Sequence, residues 1–254
     1  MTRTLIVNAD DGNLTPGVTQ AILDCHDQGI LSSTTWMVNL AHSARRVREV
    51  KARPNLGVGI HLNLTLGQPV SDPKDIPSLL TEEGCFRKVG LQLERLPCAA
   101  EVRDEYCAQI SQFKKYFGRL PTHLDTHHQV HDHPFYLAIL AEIANQYKRP
   151  LRRSKLLADT ASYDFHFTTT DYLWGDLNPA GYWRRPKLEN ILRHLPQGIH
   201  EVMCHPGYND KDLHAVSSFT SGREEEMKLL ADPALRVFLK KQDIKLSHFG
   251  VCYN

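Results

Sequence analysis

Short apolar runs alternate along the chain with longer stretches whose apolar residues recur at helical spacing. TLIVNA (4–9) reads as a strand, and in VTQAILDCHDQG (18–29) Val18, Ile22 and Cys25 share one helical face, with Gly29 suited to the C-cap. STTWMVN (33–39) precedes a second helical stretch over 41–54, and LGVGIHLNLT (56–65) is strand-like. EVRDEYCAQISQFKKYFG (101–118) puts Val102, Tyr106, Ile110, Phe113 and Phe117 on one face and stops at Gly118. A strand over 122–125 leads to a helix opened by Pro134. LRRSKL (151–156) predicts a further strand, 186–195 a helix, HEVMCH (200–205) a strand, 223–242 one or two helices, and IKLSHF a closing strand. Repeated β-then-α order predicts a parallel sheet with helices outside it. About seven such units over one domain, 1–254, fit a distorted or incomplete (β/α) barrel, with an open doubly wound sheet as the rival. Residues 67–98 and 158–185 break the alternation and read as long loops at the carboxyl rim of the strands.

Composition narrows the partners. The 254 residues carry 30 Lys and Arg against 29 Asp and Glu, and this balance argues against a nucleic-acid or membrane-surface protein. The opening MTRTLIVNADDGN does not read as a signal peptide, and no run approaches the roughly 20 apolar residues of a membrane span. Six scattered cysteines form no C-x-x-C pair, so the expectation is reduced, mostly buried thiols in a cytoplasmic protein. A homodimer is left open.

The candidate chemistry lies where the strands end. HLDTHHQVHDH (123–133) holds five of the fourteen histidines, and imidazole is the commonest metal ligand in proteins. Asn8, Asp10 and Asp11 end the first strand, His61 and Asn63 the third, Asp125, His127 and His128 the fourth, and His205 the strand over 200–205. Parallel α/β folds bind ligands at the carboxyl ends of strands, so these clusters are expected on one rim. Adjacent side chains in extended backbone point apart, which would let Asp10 and Asp11 hold two different jobs. The alternative for that pair is a turn or helix cap ahead of Thr15-Pro16-Gly17. His127 and His131 have the i,i+4 spacing of a zinc-protease helix, but the required Glu is absent and Pro134 starts the helix too late. One or two ligands from this loop remain, with the other histidines behind them. Pro206 forces His205 into an extended conformation, which suits a fixed general acid. Tyr163, Phe165, Tyr172, Trp174, Tyr182 and Trp183 could wall a sugar site, and Arg152 or Arg153 could contact a polar or anionic group.

The stretches LIVNADD, GILSSTTWMVN, LGVGIHLNLTLGQPV, PTHLDTHHQVHDHP and EVMCHPGY occur in the order seen in YdjC-family carbohydrate deacetylases, which the chain resembles nearly end to end. The resemblance implies a distorted (β/α) barrel that removes acetyl groups from N-acetylated amino sugars or oligosaccharides and releases acetate. It implies one divalent metal ion, zinc or magnesium, held by Asp11, His61 and His127. It implies Asp10 as catalytic base and His205 as the second catalytic residue. The chain departs from the pattern at Gly12-Asn13, where the family has Phe-Gly. Two other readings stand beside this one. A metal-dependent phosphoesterase could use a similar rim, and the departure at 12–13 would fit a catalytically silent sugar-binding member of the fold.

Overall fold

The computed structural model describes residues 2–41, 44–158, 165–175 and 182–253. Seven parallel strands form one sheet: β1 (Arg3–Gly12), β2 (Ser33–Trp36), β3 (Gly57–Leu62), β4 (Leu124–Thr126), β5 (Tyr172–Trp174), β6 (Gly198–Cys204) and β7 (Ile244–Ser247), in the order β4-β3-β2-β1-β6-β5 with β7 also on β1. The sheet curls into a half-barrel with helices around it, an incomplete (β/α) barrel. β1 pairs with β6 over Arg3–Ala9 along one edge. Its other edge is shared, with β7 beside Arg3–Ile6 and β2 beside Asn8–Gly12.

The period of two along β1 separates two environments. Leu5, Val7 and Ala9 join the main core, to which α1 (Pro16–Gln28) contributes Val18, Ala21 and Ile22, and α4 (Ala99–Phe117) contributes Val102, Tyr106, Ile110 and Phe113. Ile6, one residue out of phase, packs with Phe249 and Cys252 in a separate small cluster. Asn8 and Asp10 continue that second phase, and both are buried. The helices begin and end as the sequence requires. Thr15 caps α1 by accepting from the Val18 amide at 3.1 Å, and Gly118 ends α4 at φ 72°. His133 caps α5 (Pro134–Tyr147), its Nδ1 accepting from the Phe135 amide at 3.3 Å.

Several expectations need correction. Residues 151–156 form no strand: Leu151 makes a single bridge to Leu124, and a 3-10 turn begins at Lys155. The fifth strand is Tyr172–Trp174, inside a segment read as loop. The helix expected over 41–54 is α2 (Ala44–Lys51), and the 67–98 segment contains α3 (Val89–Glu94). The stretch 223–242 is two helices, α8 (Arg223–Leu230) and α9 (Ala234–Lys241), parted at Pro233. They follow α6 (Arg185–Arg193) and α7 (Lys211–Val216). All six cysteines are free thiols, but only Cys25, Cys204 and Cys252 are buried, and Cys98 is exposed. Among the described residues no helix is long and apolar enough to cross a membrane.

Candidate active site

The register of β1 against β2 shifts between Ala9 and Gly12, and Asp11 adopts a left-handed φ of 65°. A regular pleat would send the carboxylates of Asp10 and Asp11 to opposite faces. The bulge instead leaves both lining one cavity of about 370 Å³, together with His61, His127, His128, Gln129, His205 and Phe219. The strand-end clusters therefore do converge on one rim. Asn13, also left-handed at φ 74°, is the residue type besides glycine that best tolerates this conformation. Gly12 has no room for a side chain: a Cβ there would stand 2.7 Å from the Thr35 carbonyl oxygen and 3.2 Å from the Trp36 ring. Neither Gly12 nor Asn13 lines the cavity.

Asp11, His61 and His127 present three donor atoms to one another. Asp11 Oδ1 lies 3.3 Å from His61 Nε2 and 3.1 Å from His127 Nδ1, and the two nitrogens are 3.3 Å apart. Bonds of about 2.1 Å at octahedral to tetrahedral angles would space three donors by about 3.0–3.4 Å. The other side of His61 strengthens the fit. Its Nδ1 is 2.7 Å from Asp125 Oδ1, and Thr35 donates to Asp125 Oδ2 at 3.0 Å. With the Nδ1 proton held by a carboxylate, the Nε2 lone pair faces Asp11 and His127, as in carboxylate–histidine–metal arrangements. Burial alone would push the pKa of the metal-free His61 down, but the charge of Asp125 and hydrogen bonds with Asp11 and Asp125 lift it to about 10. Burial opposes ionisation of Asp11 too. The Arg223 guanidinium and hydrogen bonds from His127 and His61 outweigh it and hold the carboxyl well below its usual range.

Asp10 has different company. Arg152, fully buried, donates to both its oxygens at 2.7 and 2.6 Å, and Asn8 adds a bond at 3.0 Å. The same guanidinium meets Asp125 Oδ2 at 3.0 Å and Glu201 Oε1 at 2.7 Å. Asp10, His61 and Asp125 also form a cluster of metal-ligand type, but Arg152 supplies a cation to both of its carboxylates. Burial pushes Glu201 up to about 7 against the pull of Arg152. His205 Nε2 stands 3.8 Å from Asp10 Oδ2. Burial drives its pKa down to about 4 despite Asp10 and Asp11 nearby, so the imidazole is neutral near pH 7. Its backbone amide donates to Glu226 Oε2 at 2.6 Å, while Glu226 Oε1 accepts from the Trp183 amide at 2.8 Å. Phe219 packs edge-on against the His205 ring at 5.1 Å.

The remaining candidates disperse. His123 stacks on Phe249 at 3.7 Å, deep in the barrel. His131 Nδ1 meets the Thr126 hydroxyl at 2.6 Å, and His133 is a helix cap. His128 is an exposed cavity wall whose Nδ1 lies 2.8 Å from the Thr65 hydroxyl. Asn63 organises its own turn, its Oδ1 accepting from the Thr65 and Leu66 amides. Arg152 does not reach out to a ligand as expected, because three carboxylates hold it inside. Arg153 donates to the Thr170 carbonyl at 3.4 Å. Of the aromatic wall, Tyr172 and Trp174 stack with His200, Trp183 is buried, and Tyr182 stacks on the cavity residue Phe219 at 4.2 Å. Phe165 packs against the main core, and Tyr163 lies outside the described residues. Sequence reasoning assigned no role to Arg223, Glu201, Glu226 or Phe219, although Glu201 opens the EVMCHPGY stretch and the other three lie in the 217–239 segment that follows it.

A family model described as YdjC-like protein matches residues 4–241. The chain belongs to the YdjC-like family. It is 35% identical over 255 residues to a carbohydrate deacetylase of Geobacillus stearothermophilus, covering 100% of this chain and 99% of that one. Against a carbohydrate deacetylase of Brevibacillus brevis the identity is 36%, over 97% and 98% of the two chains. A solved structure from Enterococcus faecalis V583, described as a candidate cellobiose-phosphate cleavage protein, superposes with a TM-score of 0.88 at 30% identity over 99% of each chain. A family 4 carbohydrate esterase of Streptomyces lividans in complex with acetate shares the fold at a TM-score of 0.52 and 12% identity, over 96% of this chain and 91% of that one.

Proposed function

We propose that this YdjC-like chain is a metal-dependent carbohydrate deacetylase that hydrolyses the acetamide of an N-acetylated sugar, releasing acetate and a free amine. The observation that carries the reading is the pairing of two half-sites in one cavity. Three donors at cation spacing (Asp11, His61, His127) stand beside an Asp10–His205 pair that takes no part in that trio. The names of relatives at 35% and 36% identity supply the substrate class.

In this reading Asp11, His61 and His127 hold one divalent cation, which when bound polarises the acetyl carbonyl and makes water more acidic. Two imidazoles and a carboxylate suit zinc better than magnesium. Asp10 takes a proton from the attacking water, and Arg152 fixes the direction in which its oxygens point. His205 enters the reaction neutral and stands 3.8 Å from Asp10, placed to stabilise the tetrahedral intermediate or hand a proton to the departing nitrogen. Leu14, Val216 and Phe219 give the cavity an apolar side against which water is excluded.

The phosphoesterase reading is weaker, since among the described residues Arg223 is the one arginine in the cavity lining and is bonded to Asp11, and the Asp10–His61–Asp125 cluster is neutralised by Arg152. The silent-member reading loses its motive, because residues 12 and 13 stay out of the cavity lining. The test is acetate release from N-acetylated mono- and oligosaccharides, metal by metal and after chelation. Turnover of a chromogenic phosphoester without acetate release, or sugar binding without acetate release in every metal, would sink the proposal.

A further inference from the structure

Arg223 is the first residue of α8, where the helix dipole disfavours a cation by about 0.3–1 kcal/mol. The next three residues, Glu224, Glu225 and Glu226, follow the ordinary preference for acid at that end. Arg223 is nonetheless 2% exposed, and its Nη1 is buried with no hydrogen-bond partner. Both features cost stability. The site around it is built to hold it. Its Nε donates to the Phe219 carbonyl at 2.6 Å, and its guanidinium lies 5.5 Å from the Phe219 ring centre. Gly207 leaves it space, since a Cβ there would meet Arg223 Cδ at 3.2 Å. The glycine of CHPGY thus accommodates a residue sixteen positions later.

The remaining bond explains the placement. Arg223 Nη2 donates to Asp11 Oδ2 at 2.7 Å, while Asp11 Oδ1 faces His61 Nε2 and His127 Nδ1. The two oxygens of one carboxylate are therefore divided between a guanidinium and the donor trio. We propose that Arg223 is a positioning residue that restricts Asp11 to one-oxygen ligation and so biases the site toward small, nitrogen-preferring cations. A carboxylate free to offer both oxygens favours larger, oxygen-preferring cations of higher coordination number. One carboxylate oxygen with two imidazoles favours zinc-like ions. The inference rests on the cation reading above and goes beyond it by assigning the choice of ion to a residue outside the donor trio.

The experiment is calorimetric titration of the metal-stripped full chain with zinc and, separately, manganese, for wild type, Arg223→Met and Arg223→Lys. Circular dichroism establishes that each variant is folded. In Arg223→Met the preference for zinc over manganese is expected to fall by about tenfold or more, chiefly because manganese binds more tightly. Arg223→Lys, which keeps the charge and a single donor, is expected to lie between the two. Cobalt-loaded protein gives a second readout: intense four-coordinate visible bands in wild type, weakened in Arg223→Met as coordination number rises. An unchanged zinc-to-manganese ratio and cobalt spectrum, or an equal loss of both metals, overturns the role of Arg223 while leaving the cation site intact. Absence of any cation binding in wild type overturns both. Should Arg223→Met not fold, Arg223→Ala, which leaves room for water beside Asp11 Oδ2, takes its place, and an unaltered ratio in that variant rejects the inference.

Discussion

Asp10 and Asp11 are adjacent in the chain and line the same cavity, yet each answers to a different arginine. Asp10 gives both oxygens to Arg152, a guanidinium shared with Asp125 and Glu201 in the closed interior of the barrel. Asp11 gives one oxygen to Arg223 and turns the other to two imidazoles. The first arrangement locks a carboxylate by two parallel bonds and leaves it beside His205. The second leaves half of a carboxylate for a ligand. Identical side chains one position apart thus acquire different chemistry from partners 142 and 212 residues away in sequence.

Exchanging the aspartates for asparagine breaks the comparison most severely. Asp11→Asn is expected to lose both bound metal and turnover. Asp10→Asn is expected to retain one equivalent of metal by elemental analysis while turnover falls about 10²- to 10⁴-fold. An empty site in Asp10→Asn with a full one in Asp11→Asn would mean the two roles are reversed.

His205→Ala sharpens the Asp10 side. Metal affinity should stay within a few-fold while turnover drops by about 10²- to 10⁴-fold, and less for an activated anilide whose amine leaves without protonation. An equal loss on both substrates would assign His205 to the oxyanion or the sugar, and no loss would remove it from the reaction.

Arg152→Met tests whether the interior arginine is held for stability as well as for Asp10. Removing it leaves three buried carboxylates without their cation, and denaturant titration should report a loss of about 3–5 kcal/mol. A loss under about 1 kcal/mol would mean that protonation or water replaces the guanidinium cheaply.

The last expected effect is read as a slope and concerns pH. Burial holds His123 down at about 3 against a usual value of 6.5, so it stays neutral when folded and gains a proton when unfolded in acid. Its contribution is present above about pH 6.5 and is lost as pH falls toward 3, with a slope of at most about 1.4 kcal/mol per pH unit. Urea midpoints at several pH values should therefore decline less steeply in His123→Gln than in wild type. Parallel curves would show that His123 is protonated on both sides of the transition.

What was legible in the sequence followed from local periodicity. The strand-to-helix alternation yielded β1, α1, α4, α5 and β6 within a few residues, and the polar residues at strand ends yielded the rim on which Asp10, Asp11, His61, His127 and His205 meet. The strand β5 was hidden because three residues among turns carry no measurable period. The partners of Arg152 and Arg223 were hidden for another reason: a lone arginine has no local signature, and its partners declare themselves only once the sheet closes. The histidine-rich loop misled in its numbers. Of its five imidazoles, His123 is packing, His131 binds Thr126 and His133 caps a helix, each an ordinary use of a polar ring that pattern alone cannot distinguish from ligation.

The shared edges of β1 also set an order of events during synthesis. Its full-length neighbour, β6, pairs Arg3 with Gly198, 195 positions later, and β7 arrives later still. At about 5–20 residues per second, the strand that carries both aspartates waits about 10–40 s for its main partner to leave the ribosome. Until then TLIVNA is an apolar strand with an open edge, the kind of segment that pairs with other chains. The cavity that both aspartates line is therefore completed only after the chain has been extended through β6.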